Sequence, residues 1–254
     1  MNMSQSNAAT DSIQLYLNSR YADQKPNGDT GICVFTFPQI DIPDGHYIYL
    51  SLQNAIIPYS FYSINPTNNV FIITSNGNTY TVIIEPGNYN ITQMISALKA
   101  QLGGLFDIIY SSITNKITIT NTTYDFIVQF SGSTLNHALG FSESQITPSV
   151  TRSCAAPFCV NLNQIRAINI DIDMPTYNIN VAQKNNQNIM ATIPVITQPY
   201  GMINYTNPNN FRINMYCCKL QSIRVKLLDN QNNLINMNGV NYQMTLQVDI
   251  VNFT

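Results

Sequence analysis

The feature that most restricts what this chain can become is the rhythm of its apolar residues. From Ile32 onward, runs of β-branched and aromatic residues are interrupted every ~8–12 residues by Gly, Pro, Asn or Asp. Within the runs the period is that of a strand. In VNYQMTLQVDIV, Tyr242, Met244, Leu246, Val248 and Ile250 share one face, and Gln243, Thr245, Gln247 and Asp249 share the other. Such a strand buries one side and leaves the other to water or a partner. Many short strands joined by tight turns build sandwiches, jelly rolls or barrels.

The first firm strands are ICVFTF (32–37) and YIYLSLQNAII (47–57), joined through Asp44-Gly45, with Pro58 ending the second. In VFIITSNGNTYTVII, Asn76-Gly77 is centred between two strand runs, and both residues tolerate the positive φ of a type I′ turn. FDIIYSSITNKITITNTTYDFIVQF predicts three further short strands. One segment breaks the pattern. In EPGNYNITQMISALKAQL, Ile91, Met94, Ile95, Leu98 and Leu102 recur at helical spacing. Asn90 is placed as N-cap, Gln93 completes a capping box, and Gly103-Gly104 stop the helix. STLNHALGF predicts a second, short helix closed by Gly140.

Residues 1–30 are polar and turn-rich, with one alternating island, SIQLYLNSRYA, and read as an N-terminal arm. SESQITPSVTRSCAAP (142–157) is a breaker-rich connector. After it, IRAINIDID and IMATIPVI are strands, and YNINVAQKNNQN lies between them as a loop. TQPYGMINYTNPNNFRINMYC is an irregular excursion, and LQSIRVKLLD with VNYQMTLQVDIV forms a closing pair. The resulting expectation is a mainly β chain. A jelly-roll β-sandwich is drawn from residues 31–66 plus 151–254, and a smaller α+β lobe is inserted at 67–150. The alternative is two consecutive small β-barrels.

Charged residues make up 9 % of the chain, against ~25 % in most soluble domains, and Asn, Gln, Ser and Thr supply the polarity instead. A surface of amides offers little repulsion between copies and favours self-association. The formal net charge is −2 and the basic residues form no run, so direct nucleic-acid binding is not expected. No secretory signal is expected at the N-terminus, and no apolar run reaches the ~20 residues needed to cross a bilayer. Five cysteines, an odd number, fit a reducing compartment. Cys217 and Cys218 point to opposite faces of one strand, and Cys154 and Cys159 lack zinc-ligand spacing.

Catalytic signals are weak. The two histidines, His46 and His137, have no partner at a recognisable spacing, and no nucleophile elbow, P-loop or metal-protease motif occurs. Of the acids Asp41, Asp44, Glu85, Asp171, Asp173 and Asp229, the pair Asp171 and Asp173 stands out. They share one face about two strand rises of ~3.3 Å apart, a spacing that fits a carboxylate pair, a calcium site or the wet face of an edge strand. Tyr59, Tyr62, Tyr89, Tyr200 and Tyr205 fall in clusters that suit either an interface or internal ring packing. Tryptophan is absent, which counts against a sugar-stacking platform. No catalytic, cofactor-binding or metal residue and no cofactor is assigned, and the chain is not expected to be an enzyme. A glycosidase built on Asp171 and Asp173, or a receptor- or glycan-binding module, remains as an alternative.

Several phrases, in order, resemble one family: YLNSRYA, LSLQNAIIPYSFYSINPTNNVF, IEPGNYNITQMISAL, TNKITIT, HALGF, IMATIPV and IRVKLLDNQNNLINMNGVNYQMTLQVDI. They are similar to the penton, or minor capsid, proteins of eukaryotic double-stranded DNA viruses with jelly-roll capsids. These include virophages, Polinton-like viruses and large nucleocytoplasmic viruses. The likeness runs from about Leu15 to Ile250. It implies a non-enzymatic virion subunit that forms homopentamers at icosahedral vertices, beside a double-jelly-roll major capsid protein. A cementing position between capsomers is the alternative, and contact with an internal membrane is left open. The resemblance places a strand end at Ile57-Pro58 and a turn into the helix at Pro86-Gly87-Asn88-Tyr89. Asp229 and Gly239 would bracket the last connection. Asn18 stands where many relatives are expected to have Asp.

Overall fold

A computed structural model describes residues 11–141, 147–148, 151–173, 188–215, 217 and 219–252. The elements in chain order begin with β1 (Asp11–Asn18), β2 (Ile32–Asp41), β3 (His46–Pro58), β4 (Val70–Ser75), β5 (Asn78–Ile83) and α1 (Ile91–Leu102). Next come β6 (Phe106–Ser111), β7 (Lys116–Asn121), β8 (Phe126–Gln129), α2 (Asn136–Leu139), β9 (Thr147–Pro148) and β10 (Ser153–Ala155). The last are β11 (Ala167–Ile172), β12 (Ile189–Pro194), β13 (Met202–Thr206), β14 (Ile213–Met215), β15 (Lys219–Leu228) and β16 (Gln243–Asn252). They form two compact units, Met1–Phe61 with Ile165–Thr254, and Tyr62–Gln164.

The first unit is a jelly roll, and its strand pairing shows why. β1 pairs with β16, β2 with β15, β3 with β13 and β14, and β11 with β12, all antiparallel. Counted along this unit, with β13 and β14 as two pieces of one strand, first meets eighth, second seventh, third sixth and fourth fifth. This nested hairpin closes through β16·β3 and β11·β15 into two sheets, β1-β16-β3-β13 and β12-β11-β15-β2. Alternation puts Ile48, Leu50, Leu246 and Val248 of one sheet, and Ile168, Ile170, Val225 and Leu227 of the other, into one buried core. Asp29 ties the chain ahead of β2 to the connection before β16. Its carboxylate accepts from the N–H groups of Gly31 (2.9 Å), Met237 (2.8 Å) and Gly239 (3.0 Å). A Cβ on Gly31 would lie 2.0 Å from the Ile235 carbonyl oxygen, so this position admits only glycine.

The second unit is built locally. Its sheets, β5-β4-β8-β9 and β10-β7-β6, enclose a second core that contains Phe71, Ile73, Ile117 and Val128. Asn76 (φ 47) and Gly77 (φ 74) make the β4–β5 turn. Helix α1 packs on β5 and β6 and buries Met94, Leu98 and Leu102, with Ile91 and Ile95 partly covered. Its capping box is complete: Asn90 Oδ1 accepts from the Gln93 N–H, and Gln93 Oε1 from the Asn90 N–H. Gln101 then binds both the N–H and the carbonyl of Ile83, occupying part of the free edge of β5. Gly140 (φ 85) closes α2, and a Cβ there would meet the Phe158 carbonyl oxygen at 2.2 Å.

The mainly β expectation of a jelly roll with an inserted α+β lobe is met, and consecutive barrels are not, since the roll draws strands from both ends. Three local expectations change. Residues 11–18, expected within an arm, form β1 and pair with β16 over their whole length, because Ile13, Leu15 and Leu17 complete the core on that side. Residues 151–164, expected in the sandwich, lie in the lobe unit, where Ser153–Ala155 pairs with β7. The supposed excursion after residue 197 contains β13 and β14, whose inward residues Ile203, Ile213 and Met215 are buried. The expected loop YNINVAQKNNQN lies outside the described residues except for Asn188, as do parts of the 142–157 connector.

Candidate functional site

The residues singled out for chemistry are dispersed. Asp171 sits on β11 between β12 and β15, so its strand is central and not an edge. It is 2 % exposed, and Lys226, its register partner on β15, places Nζ 3.1 Å from Oδ2. The other carboxylate oxygen, Oδ1, is buried without a hydrogen bond among the described residues. Asp173 is exposed and accepts from Arg224 Nη1 at 2.7 Å. The two carboxylates therefore each pair with a different cation of β15. Among the described residues no group of His, Cys, Asp and Glu is gathered that could hold a metal.

His46 lies in the roll, its Nδ1 3.1 Å from the Asp44 carbonyl, and exposed His137 lies on α2 in the lobe. Asp229 is consumed by its own turn, accepting from the N–H groups of Gln231 and Asn233, both at 2.8 Å. Asp41 accepts from Gln39 Nε2 at 2.5 Å. Cys33 and Cys154 are buried, and burial pushes the Cys154 thiol up to about 11. No helix among the described residues is long and apolar enough to cross a membrane.

The tyrosines divide by role. Tyr59 is buried, stacked on Phe61 with centroids 4.3 Å apart. Tyr205 packs against the roll core, and Tyr89 donates to the Glu85 carbonyl at 2.7 Å. Tyr200 is the opposite case, 93 % exposed on a backbone of φ 69. A bulky side chain in the left-handed region is strained, and such strain collects at functional positions. The loop is pinned from both sides. The Tyr200 N–H donates to Tyr59 O (3.1 Å), and the Tyr59 N–H donates to Gly201 O (2.9 Å). Beside it Ile196 is 88 % exposed. β13, which follows this loop, ends one side of its sheet.

At the other end of that sheet, β1 runs beside β2 and leaves a groove of about 370 Å³ between them. Tyr16 and Tyr21, each 75 % exposed, flank it, and Leu15, Phe35 and Phe37 contribute apolar lining. Its single charged lining residue is Asp23. Hydrogen bonds from the Thr36 side chain and N–H (the latter 2.6 Å) hold the Asp23 carboxyl below the usual range. Between the two edges, the outer face of the sheet carries a polar network. Arg212 lies 4.2 Å above the Tyr49 ring and 4.0 Å from Asp249 Oδ2, and Asp249 also accepts from Ser12 and Gln247. Tyr16 and Tyr21 escaped notice in the sequence because their segment read as an arm. The strain at Tyr200 has no sequence signal beyond the neighbouring Pro199 and Gly201.

Comparison with known proteins follows the fold. No family model matches the chain. A stretch of 106 residues, 41 % of the chain, is 33 % identical to an uncharacterized protein of Acanthamoeba polyphaga mimivirus, and covers 17 % of that protein's length. The crystal structure of the mavirus penton protein matches 95 % of this chain and 100 % of that one, with a TM-score of 0.54 at 12 % identity. The fold is that of a penton protein. On this penton-type roll the interior is filled by side chains. Two described surfaces of the roll receive or present aromatic rings: the β1–β2 groove and the Tyr200 loop.

Proposed function

We propose that the chain is a structural subunit of an icosahedral viral capsid, the penton protein that closes into homopentamers at the vertices. The observation that carries this reading is the end-to-end match of an eight-strand roll, inserted lobe included, to a penton protein of the same extent. The chemistry agrees with it. A chain with charge at only 9 % of its residues that exposes Tyr16, Tyr21 and Tyr200 suits a surface made to meet other protein surfaces. On this reading the neighbours are further copies of the chain and a double-jelly-roll major capsid protein, and the chain resides in the virion. Size-exclusion chromatography with mass detection and negative-stain imaging test it: pentamers in solution, or the chain at capsid vertices, are expected. A strictly monomeric protein missing from virions overturns the reading.

A further inference from the structure

We propose that the ring contact is head-to-tail along one sheet, with the Tyr200 loop of one copy seated in the β1–β2 groove of the next. This deepens the penton reading and rests on it. A cyclic ring needs two different surfaces on each subunit that face opposite ways. β1 and β13 are the two ends of one sheet, β1-β16-β3-β13, and each carries exposed aromatic surface at its own end.

The two surfaces also match in kind. The loop is a rigid projection: Tyr200 and Ile196 stand out from a turn fixed by three backbone hydrogen bonds among Tyr59, Gln198, Tyr200 and Gly201. A Cβ on Gly201 would lie 2.1 Å from Thr197 Oγ1 and 2.9 Å from the Gln198 carbonyl oxygen, so the turn calls for glycine there. The groove is a concavity of about 370 Å³, sufficient for an aromatic ring and its neighbour, and Tyr16, Tyr21, Phe35 and Phe37 are among its lining. Neither surface sets like charges against the other: the groove lining contains one ionisable charge, Asp23, and residues 196–202 contain none. Arg20 lies over the Tyr21 ring, 5.9 Å from its centroid. Glycine or asparagine would hold φ 69 at position 200 with less strain, so the fold itself has no use for tyrosine there. A protruding, preorganised tyrosine is the residue type that anchors interfaces.

The experiment uses three variants of the full chain and reads oligomeric state by mass photometry. Tyr16→Asp and Tyr200→Asp each alter an exposed ring, so their unfolding midpoints should equal the wild type's. Each alone should weaken ring assembly about 30-fold or more, the size of a hot-spot loss. Mixed in equal amounts they should give one-to-one dimers that grow no further. The Tyr16→Asp copy keeps its loop and the Tyr200→Asp copy keeps its groove, so only one good contact forms. Tyr200→Asn should abolish rings while raising the unfolding midpoint, which a purely structural tyrosine would not do. Pentamers that persist in both Asp variants overturn the proposal and leave the penton reading standing. Rings that survive Tyr16→Asp while binding to purified major capsid protein is lost assign the groove to that partner and likewise overturn it. A wild-type chain that forms no rings and is absent from virions removes both. Should the wild type form rings only within capsids, incorporation of the same variants into capsids is the readout, with loss expected.

Discussion

The roll and the lobe are both small β-structures with a buried core, but they are closed by opposite kinds of contact. In the lobe, β4 meets β5 across the two-residue Asn76-Gly77 turn, and β6 meets β7 across four residues. In the roll, β1 meets β16, and Ser12 hydrogen-bonds to Asp249 237 residues further on. Loop-closure entropy makes local pairing fast and non-local pairing slow. The lobe is thus a continuous segment that can order by itself, whereas the roll cannot close until both ends of the chain are present.

The largest test of this contrast is excision. Residues 62–164 alone are expected to fold with a cooperative thermal transition. A chain lacking residues 243–252 should retain that transition and lose the one belonging to the roll, as read by calorimetry. Single core truncations should divide in the same way. Leu98→Ala in α1 and Leu246→Ala in β16 each remove a fully buried side chain, and each should cost ~3 kcal/mol in its own unit only. Ion pairs sharpen the comparison. Lys226→Met strands the buried Asp171 carboxylate and should destabilise the roll by about 3 kcal/mol in denaturant titration. Lys99→Met breaks an exposed pair with Asp107 in the lobe and should lower the midpoint only slightly.

Smaller effects follow. Tyr242 is buried, its hydroxyl facing the weakly hydrogen-bonding Cys33 thiol, and burial pushes its phenol well above the ordinary value. Tyr242→Phe should therefore be neutral or stabilising by up to ~1 kcal/mol in the roll transition. The smallest effect is pH-dependent. Hydrogen bonding from Lys99 holds the Asp107 carboxyl below its ordinary 3.8. A depressed folded-state pKa stabilises above the unfolded value, and that contribution disappears as pH falls through the folded one. The lobe transition should accordingly drop more steeply below pH 3.8 in the wild type than in Asp107→Asn.

How legible each part was follows the same division. The Asn76-Gly77 hairpin, the α1 capping box at Asn90 and Gln93, and the stop at Gly103 are local signals, and all stand in the sequence. So does the alternation of β16. What escaped are elements defined by distant partners. β1 is short and polar between Ile13, Leu15 and Leu17, and only β16 makes it a strand. β13 and β14 are hidden among Asn, Pro and Tyr, and only β3 holds them. The chain's return to the roll at Ile165 carries no breaker of its own. At the candidate surfaces, tyrosine enrichment was visible but its sorting was not. Nothing in the sequence separates buried Tyr59 from exposed Tyr200, because that depends on which backbone pins which. The same holds for Asp171 and Asp173, whose fates are set by Lys226 and Arg224 across the sheet.

β16 lies between β1 and β3, so the first and third strands of the roll have no direct contact to hold them in place before it arrives. A ribosome that stalls before residue 243 releases a chain whose lobe is ordered but whose β1 has no seat. Since the β1–β2 groove exists only when β1 is docked, such a fragment lacks the groove. The last-made strand of the roll thus acts as a completeness check on the fold: a chain without it keeps its lobe but not its roll.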